Sequence, residues 1–249
     1  MSTHINDHLV LLGGKSTTGK SHSLMGLKNP EGVMYLNCEA GKRLPFPAKF
    51  LKGPDGNVGF IITDPFQIYE AFERAEAMPD VHTIVVDSLT YLMDMYESDY
   101  VLSATNGMKA WGEFAQYFKN LMQKHVAKSS KTVIFTAHVI DNLNESEHIM
   151  ETKVPVKGSL KNNGIESYFS TVISSKKVKL KDLEDYESEL LNITEDEHLL
   201  GFKYVFQTKL TKDTVNERLR GPLGMFTTKE TFIDNNLQHV ITRLNEYYV

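Results

Sequence analysis

Residues 14–21 read Gly14-Lys15-Ser16-Thr17-Thr18-Gly19-Lys20-Ser21, and this octapeptide decides the fold. Its spacing, G-x-x-x-x-G-K-[ST], is typical of a turn whose backbone N–H groups converge on phosphate oxygens. We expect Lys20 to reach the β and γ phosphates of a nucleotide and the Ser21 hydroxyl to ligate Mg²⁺. The apolar run LVLLGG comes before the octapeptide and HSLMGL follows it. The sequence therefore predicts a strand, a nucleotide-binding loop that extends to His22, and a helix.

Short apolar runs rich in β-branched residues recur along the chain. They cover residues 8–13, 33–37, 60–63, 83–87 and 132–137. Runs of this kind are typical of strands buried on both faces of a parallel sheet, so the pattern predicts an α/β fold in a single domain, 1–249. Helical patterns separate the runs: we expect helices over about 64–78 and 107–127, and a closing helix over 232–248.

Composition excludes several classes of protein. The chain has 249 residues, one cysteine and a net charge of −5, which excludes a disulfide framework and a uniformly basic nucleic-acid coat. No apolar run is long enough to span a membrane, and the first residues of the sequence are polar. We therefore expect a cytoplasmic protein without a membrane partner. Residues 182–197 hold eight acids, while 153–181 hold seven lysines and no arginine. Segment 182–197 is interpreted as an acidic insertion. The lysines of 153–181 are available for local contacts with phosphate groups.

Two acids at strand ends are candidates for the chemistry. Asp87 ends the run TIVVD, where open α/β sheets have their sites, and we expect it to hold Mg²⁺; a helix N-cap is the alternative reading. Many ATPases carry a glutamate directly after this aspartate, but Ser88 stands there. If hydrolysis occurs, another acid must activate the water, and Glu39, after the run VMYLN, is the candidate. A turn residue is the alternative reading for Glu39.

The sequence also separates nucleotide-using classes. No D-x-x-G or N-K-x-D motif occurs, which disfavours a GTPase. A small-molecule kinase usually needs arginines in a lid, and only Arg218 and Arg220 lie close together. That class is harder to exclude.

Four motifs in order, GKSTTGKS, YLNCEAG, TIVVDSLT and VIFTAHV, resemble the ATPase core of RecA-type recombinases. The resemblance is strongest to short phage-encoded RecA-like proteins that act in single-strand annealing. It implies a RecA-like P-loop NTPase with a mainly parallel central sheet flanked by helices, a C-terminal β-hairpin region and a closing helix. It further implies ATP and Mg²⁺ as cofactors, with Glu39 as the catalytic glutamate and Asp87 as the magnesium aspartate.

The resemblance also implies a DNA-binding loop. The family has an Asn-Gln pair at the end of the next core strand, and its glutamine senses the γ-phosphate; here Ala137-His138 stands there, so His138 is the candidate sensor. The segment 139–165, which reads as a long irregular loop, corresponds to the family's second DNA-binding loop. Its candidate contacts to single-stranded DNA are Lys153, Lys157, Lys161, Asn162 and Asn163.

The resemblance also implies that the chain assembles with copies of itself. In RecA-like rings and filaments, basic residues of a late hairpin reach the nucleotide of the neighbouring subunit, and the candidates here are Lys209, Lys212, Arg218 and Arg220. We expect a DNA-stimulated ATPase that promotes annealing or recombination as a homo-oligomer in a bacterial host's cytoplasm, with a single-strand-binding protein as a possible partner. A nucleotide-switched assembly protein and a helicase-like motor remain alternatives.

Overall fold

The computed structural model describes residues 5–145, 148–161 and 164–248, and its centre is an eight-stranded sheet. The strand order is β10-β9-β8-β1-β5-β4-β2-β3. The strands are β1 Leu9–Gly14, β2 Val33–Asn37, β3 Phe60–Ile61, β4 Thr83–Asp87, β5 Thr132–His138, β8 Thr171–Lys179, β9 Phe202–Gln207 and β10 Phe232–Asp234. All neighbours from β8 to β3 are parallel, whereas β8, β9 and β10 pair antiparallel. This confirms the mixed α/β fold with a mainly parallel sheet.

Helices cover the sheet. The α-helices are α1 Gln67–Glu76, α2 Leu89–Tyr96, α3 Gly107–Asn120, α4 Glu195–Leu200 and α5 Leu237–Tyr247. Two π-helical turns, Glu97–Val101 and Leu121–His125, continue α2 and α3. The remaining helical turns are 3-10 segments: His22–Gly26, Pro30–Gly32, Val126–Lys128, Gly158–Lys161, Ile165–Tyr168, Leu180–Asp182 and Lys229–Thr231. Among the helices of the described ranges, none combines the length and apolar character needed to span a bilayer.

Two apolar clusters hold the layers together because strand side chains alternate between the faces. On one face, Leu11, Val86 and Phe135 pack with α1, α2 and α3. On the other face, Val10, Val85 and Ile134 pack with the 3-10 segment His22–Gly26 and with α5. The single cysteine, Cys38, is buried and unpaired, as a small core residue would be.

Four expectations about local structure need correction. The helix after the phosphate loop is only the five-residue 3-10 segment His22–Gly26. Residues 139–165 are not irregular throughout, because β6 Ile140–Asn144 and β7 Ile149–Lys153 form an antiparallel hairpin. The closing helix begins at Leu237, since Phe232–Asp234 is an edge strand paired with β9. Residues 208–228, all of them described, contain only isolated bridges at Glu217 and Arg220 rather than the late hairpin that the resemblance implies for Lys209, Lys212, Arg218 and Arg220.

The helix predicted over 64–78 exists in a shorter form. It begins at Gln67, and the Gln67 Oε1 atom accepts hydrogen bonds from the backbone N–H groups of Thr63 at 2.9 Å and Asp64 at 3.3 Å. The Asp64 carboxylate accepts from the backbone of Phe66 at 2.8 Å. The expected start at Asp64 is thus a hydrogen-bonded turn, and the first helical residue, Gln67, lies three positions later.

Candidate nucleotide site

The phosphate loop connects β1 to the 3-10 segment His22–Gly26 at the carboxyl end of the sheet. Two glycines make its shape possible. A Cβ atom on Gly14 would lie 2.6 Å from the Thr18 hydroxyl oxygen, and Gly19 has φ +94°, a left-handed conformation that favours glycine. With only five residues after the loop, the helix dipole contributes little here. Anion binding must therefore rely on the loop's backbone N–H groups and on Lys20.

Lys20 lies inside the loop rather than in solvent. Its ammonium donates hydrogen bonds to the carbonyl oxygens of Gly14 and Lys15, both at 2.9 Å, and the residue is buried. Burial lowers the pKa of Lys20 to about 8, against the opposing attraction of Asp87 and Glu39. The side chain is thus a desolvated cation held where phosphate oxygens would replace the carbonyl oxygens as acceptors.

A prediction follows from this lowered pKa. In the free protein the neutral amine becomes favoured above about pH 8, whereas bound phosphate favours the ammonium form. The dissociation constant for ATP, measured by fluorescence with EDTA present, should rise about tenfold from about pH 7 to about pH 9. A constant affinity over this range would show that Lys20 keeps its proton in the free protein.

Residues from β8 and from the segment before α5 support the loop from its other side. The Ser175 hydroxyl donates to the Thr18 carbonyl oxygen at 2.7 Å, and the Asn235 amide donates to the Ser175 hydroxyl at 2.9 Å. Ser175 lies opposite Gly14 in the register of β8 and β1. Neither residue was predicted from the sequence, because only the strand order brings them to the loop.

Asp87 ends β4 beside the loop, as expected, and is almost completely buried. Three hydroxyl groups donate to its carboxylate: Ser21 and Tyr35 to Oδ2, both at 2.9 Å, and Thr136 to Oδ1. The structure thus brings Ser21 of the phosphate loop into direct contact with Asp87. Tyr35 and Thr136 were not predicted, although each places a hydroxyl group within a mostly apolar buried strand, which is a signal that the sequence does contain.

The donor set at Ser21 and Asp87 fits Mg²⁺, a hard cation that prefers oxygen ligands. Mg²⁺ usually takes only one or two protein ligands and completes its shell with nucleotide phosphates and water. Within the described ranges, no group of three or more His, Cys, Asp or Glu side chains could hold a metal by itself. The residues present therefore fit a magnesium ion that binds together with a nucleotide.

Glu39 follows β2 in a tight turn. The Asn37 side chain accepts from the backbone N–H of Glu39 at 2.9 Å and donates to the carbonyl oxygen of Lys42 at 2.9 Å. Ala40 and Gly41, with φ +51° and +76°, complete the turn. The fold thus fixes the backbone from which the Glu39 carboxylate enters the cleft.

Two basic side chains border the Glu39 carboxylate. His138, at the end of β5, has its Nε2 atom 3.7 Å from Oε1, and the Lys42 ammonium lies 2.9 Å from Oε2. His138 and Lys42 together lower the pKa of Glu39 to about 2. The carboxylate is therefore ionised at neutral pH. His138 itself lies next to the loop, opposite Gly14 in the register of β5 and β1, and its backbone N–H donates to the Thr90 hydroxyl at 2.9 Å.

These groups line one cleft of about 450 Å³, a volume typical of small-molecule sites. The cleft contains most of the predicted loop together with Glu39, Asp87 and His138. Six other residues of its wall were not predicted from the sequence: Tyr35, Lys42, Arg43, Leu44, Pro45 and Tyr204. Tyr204 of β9 keeps 39% of its surface exposed, so an aromatic ring is available beside the loop.

Of the predicted DNA-binding residues, the structure describes the three lysines, and their surroundings differ. Lys153 forms an ion pair with Glu151 at 2.8 Å, and Lys157 forms one with Glu97. Lys161 is exposed and has no acidic partner among the described residues. Asn162 and Asn163 lie outside the described residues. Two of the three lysines are thus already neutralised within the chain.

The four basic residues predicted to reach a neighbouring subunit's nucleotide differ in their contacts. Arg218 forms ion pairs with Glu166 at 3.4 Å and Glu151 at 3.7 Å, and Lys209 donates to the Phe226 carbonyl oxygen at 3.2 Å. Arg220 pairs with Val172 through its backbone, and its side chain is exposed. Lys212 is exposed as well. Of the four, Arg220 and Lys212 are thus the two with exposed side chains.

Comparison with known proteins agrees with this geometry. A search of curated proteins finds no match to the chain. A family model described as an AAA domain matches residues 7–196, which include the phosphate loop, Glu39, Asp87 and His138. The match covers more than half of the sequence, and the family has a P-loop ATPase core. The chain belongs to the AAA domain family of P-loop ATPases.

Proposed function

We propose that this protein is an ATP- and Mg²⁺-dependent ATPase whose hydrolysis is coupled to single-stranded DNA, as in phage-encoded annealing and recombination. The observation that carries the ATPase part is the meeting of three groups in one cleft: the buried Lys20, the pair formed by Ser21 and Asp87, and the ionised Glu39. These are the groups that a phosphoryl transfer to water requires.

The chain's residues would divide the work as follows. The loop N–H groups and Lys20 hold the β and γ phosphates, and Ser21 and Asp87 hold Mg²⁺, which when bound neutralises charge on the phosphate oxygens. Glu39 orients the attacking water and accepts its proton. A carboxylate with a pKa of about 2 is a weak base, but phosphoryl transfer has a loose transition state, in which positioning of the water matters more than proton removal. The exposed Tyr204 ring offers a surface on which a nucleotide base can stack.

His138 connects this chemistry to the hairpin of β6 and β7, which begins two residues later. Its ring lies between the Glu39 carboxylate and Tyr91, whose ring centroid is 5.9 Å away. A phosphate at the loop would compete with Glu39 for the imidazole. We therefore propose that His138 senses the γ-phosphate and passes the change to the hairpin.

The DNA part of the proposal depends on a smaller surface than the sequence suggested. Residues 140–153 contain four acids and one lysine, so the hairpin itself does not attract phosphate groups. Lys161, which follows the hairpin, is the exposed cation of this region with no acidic partner in the described part of the chain. A homo-oligomer would repeat this lysine along a DNA strand, and weak single contacts would then add up.

Binding of fluorescently labelled single-stranded DNA, with and without ATP, tests this part. We expect binding at low salt that weakens as salt rises, and stimulation of ATP hydrolysis by the DNA. The charge reversal Lys161→Glu should weaken binding and lower the slope of log K against log salt by about one for each phosphate that the lysine neutralises. Lys119→Glu, at an exposed position of α3, is the matched control and should bind DNA like the unmodified protein. No DNA binding in either nucleotide state, together with unstimulated hydrolysis, would refute the coupling.

A specific observation favours a second candidate, a nucleotide-switched assembly protein. Leu143 and Met150 lie opposite each other in the hairpin, and each is 53% exposed. An exposed apolar pair on an acidic hairpin suits a protein partner better than a nucleic acid. If this candidate is correct, ATP binding without hydrolysis should change the oligomeric state measured by light scattering, and DNA should have no effect.

A further inference from the structure

The three hydroxyl groups on Asp87 are not equivalent. Ser21 belongs to the phosphate loop and is expected to turn toward Mg²⁺ when nucleotide binds. Tyr35 on β2 and Thr136 on β5 lie on the two strands that flank β4, so they reach the carboxylate from opposite sides. Tyr35 donates to Oδ2 and Thr136 donates to Oδ1. Each carboxylate oxygen therefore has one hydroxyl donor from the sheet.

We infer that Tyr35 and Thr136 are positioning residues for the divalent-cation site: their hydroxyl groups hold the Asp87 carboxylate in the orientation in which it binds the metal. This inference rests on the proposed Mg²⁺ site at Ser21 and Asp87. It adds two residues to the set that the sequence motifs assigned to the site, and it gives a role to hydroxyl groups that lie within the apolar strands of the core.

The sheet register explains how these side chains meet. In the pairing of β2 with β4, Tyr35 lies opposite Val85 and Asn37 lies opposite Asp87. Because side chains two residues apart share a face of the sheet, Tyr35 and Asp87 point to the same side and are diagonal neighbours. In the pairing of β4 with β5, Val86 lies opposite Phe135, so Thr136 follows beside Asp87. The arrangement is thus set by rigid central strands rather than by a loop.

Packing fixes the Tyr35 ring. The residue is 4% exposed, and its ring centroid lies 5.9 Å from that of Phe50 at an interplanar angle of 37°. The chain passes directly against the ring at Gly59, where an added Cβ atom would lie 2.7 Å from the Tyr35 Cδ1 atom. A ring held in this way keeps its hydroxyl oxygen at one point, which is what a group that orients a metal ligand requires.

Removal of one donor has a definite consequence. A carboxylate has about four acceptor sites, and in the structure hydroxyl donors occupy three of those of Asp87. When Ser21 turns to the metal, Tyr35 is the remaining hydroxyl donor to Oδ2 and Thr136 remains on Oδ1. Without the Tyr35 hydroxyl, Thr136 is the one sheet donor that still restrains rotation of the carboxylate about its Cβ–Cγ bond, and the metal ligand is less well preorganised.

Titration of Mn²⁺ tests the inference directly, because the electron paramagnetic resonance signal of free Mn²⁺ reports binding independently of hydrolysis. Tyr35→Phe, in the presence of a non-hydrolysable ATP analogue, should raise the dissociation constant for Mn²⁺ about 10- to 100-fold. Nucleotide affinity with EDTA present should stay within about twofold of the unmodified protein, since the Tyr35 hydroxyl donates to the proposed metal ligand Asp87. Thr136→Val should raise the Mn²⁺ dissociation constant in the same way through the other carboxylate oxygen.

Tyr117→Phe is the matched control. Tyr117 is 3% exposed, and its hydroxyl donates to the Pro65 carbonyl oxygen at 2.5 Å on the other face of the sheet. This substitution removes a buried tyrosine hydroxyl with a comparable effect on the melting temperature, but it should leave Mn²⁺ affinity unchanged. The comparison separates a metal-directed role of Tyr35 from a purely structural one.

The outcomes distinguish the inference from the function on which it rests. If Asp87→Asn abolishes Mn²⁺ binding while folded Tyr35→Phe and Thr136→Val proteins bind Mn²⁺ like the unmodified protein, the inference is wrong and the metal site stands. If the Tyr35→Phe protein does not fold, the Mn²⁺ dissociation constant of the Thr136→Val protein decides between the same two outcomes. If the unmodified protein with nucleotide binds no Mn²⁺, the proposed metal site itself is wrong.

Discussion

Replacement of Glu39 by glutamine should lower kcat for ATP hydrolysis by about 10²- to 10⁴-fold, the contribution typical of a positioned acid–base group. Glutamine keeps the size of the side chain but cannot accept the proton of the attacking water. ATP affinity should change by less than about threefold, because the role proposed for Glu39 is to contact the attacking water rather than the phosphates. Single-turnover hydrolysis with radiolabelled ATP, combined with equilibrium binding, measures both quantities.

Glu73→Gln is the control for this substitution. Glu73 is an exposed glutamate on α1 and does not line the cleft, so its replacement should leave hydrolysis unchanged. Equal hydrolysis rates for Glu39→Gln and the unmodified protein would mean that another group activates the water. The resemblance to RecA-type ATPases would then lose its strongest support.

Replacement of Lys20 by alanine should raise the dissociation constant for ATP about 10- to 150-fold, since a hydrogen bond to a charged group contributes about 1.5–3 kcal/mol. The structure shows why this lysine is special among the cations of the loop. It is buried and hydrogen-bonded to two loop carbonyl oxygens, so its ammonium is held inside the loop. Isothermal titration calorimetry at neutral pH measures the decrease in affinity.

Lys15 supplies a matched comparison in the same loop. Its side chain is 59% exposed and forms an ion pair with Asp141 of the hairpin. Exposed ion pairs contribute little, so Lys15→Ala should weaken ATP binding by less than about fivefold. Similar decreases for the two variants would show that the loop attracts phosphate by overall charge instead of by the position of Lys20.

The groups that the sequence alone predicted are those whose role depends on a local pattern. The spacing of the glycines and Lys20 defines the loop, and Asp87 and Glu39 each lie at the end of an apolar strand. Parallel strands bring their carboxyl ends to one edge, so these acids meet at the loop whatever the details of packing. The structure brings them into one cleft.

The groups that the sequence did not reveal depend on which strands are neighbours. Tyr35 and Thr136 touch Asp87 because β2 and β5 flank β4, and Ser175 supports the loop because β8 lies beside β1. The role of a hydroxyl group in an apolar run can be assigned only when its hydrogen-bond partner is known. Strand order is a tertiary property that hydrophobic periodicity does not contain.

The corrected elements have a second cause, competition between weak local signals and tertiary pairing. The segment 140–153 looked irregular because its polar and apolar residues hardly alternate, yet pairing between β6 and β7 makes it a hairpin. Phe232 and Ile233 have the spacing of a helix start but pair with β9 instead. The predicted phosphate-binding lysines illustrate the same limit, since Glu97, which neutralises Lys157, is far away in sequence.

The structure of the Glu39→Gln protein with ATP and Mg²⁺ tests the central claim most directly, because the substitution should trap the nucleotide before hydrolysis. We predict that the γ-phosphate contacts the Lys20 ammonium, that Mg²⁺ lies between Ser21, Asp87 and the phosphates, and that the side chain at position 39 contacts a water in line with the terminal phosphate. A nucleotide outside this cleft, or a different acid beside the in-line water, would contradict the claim.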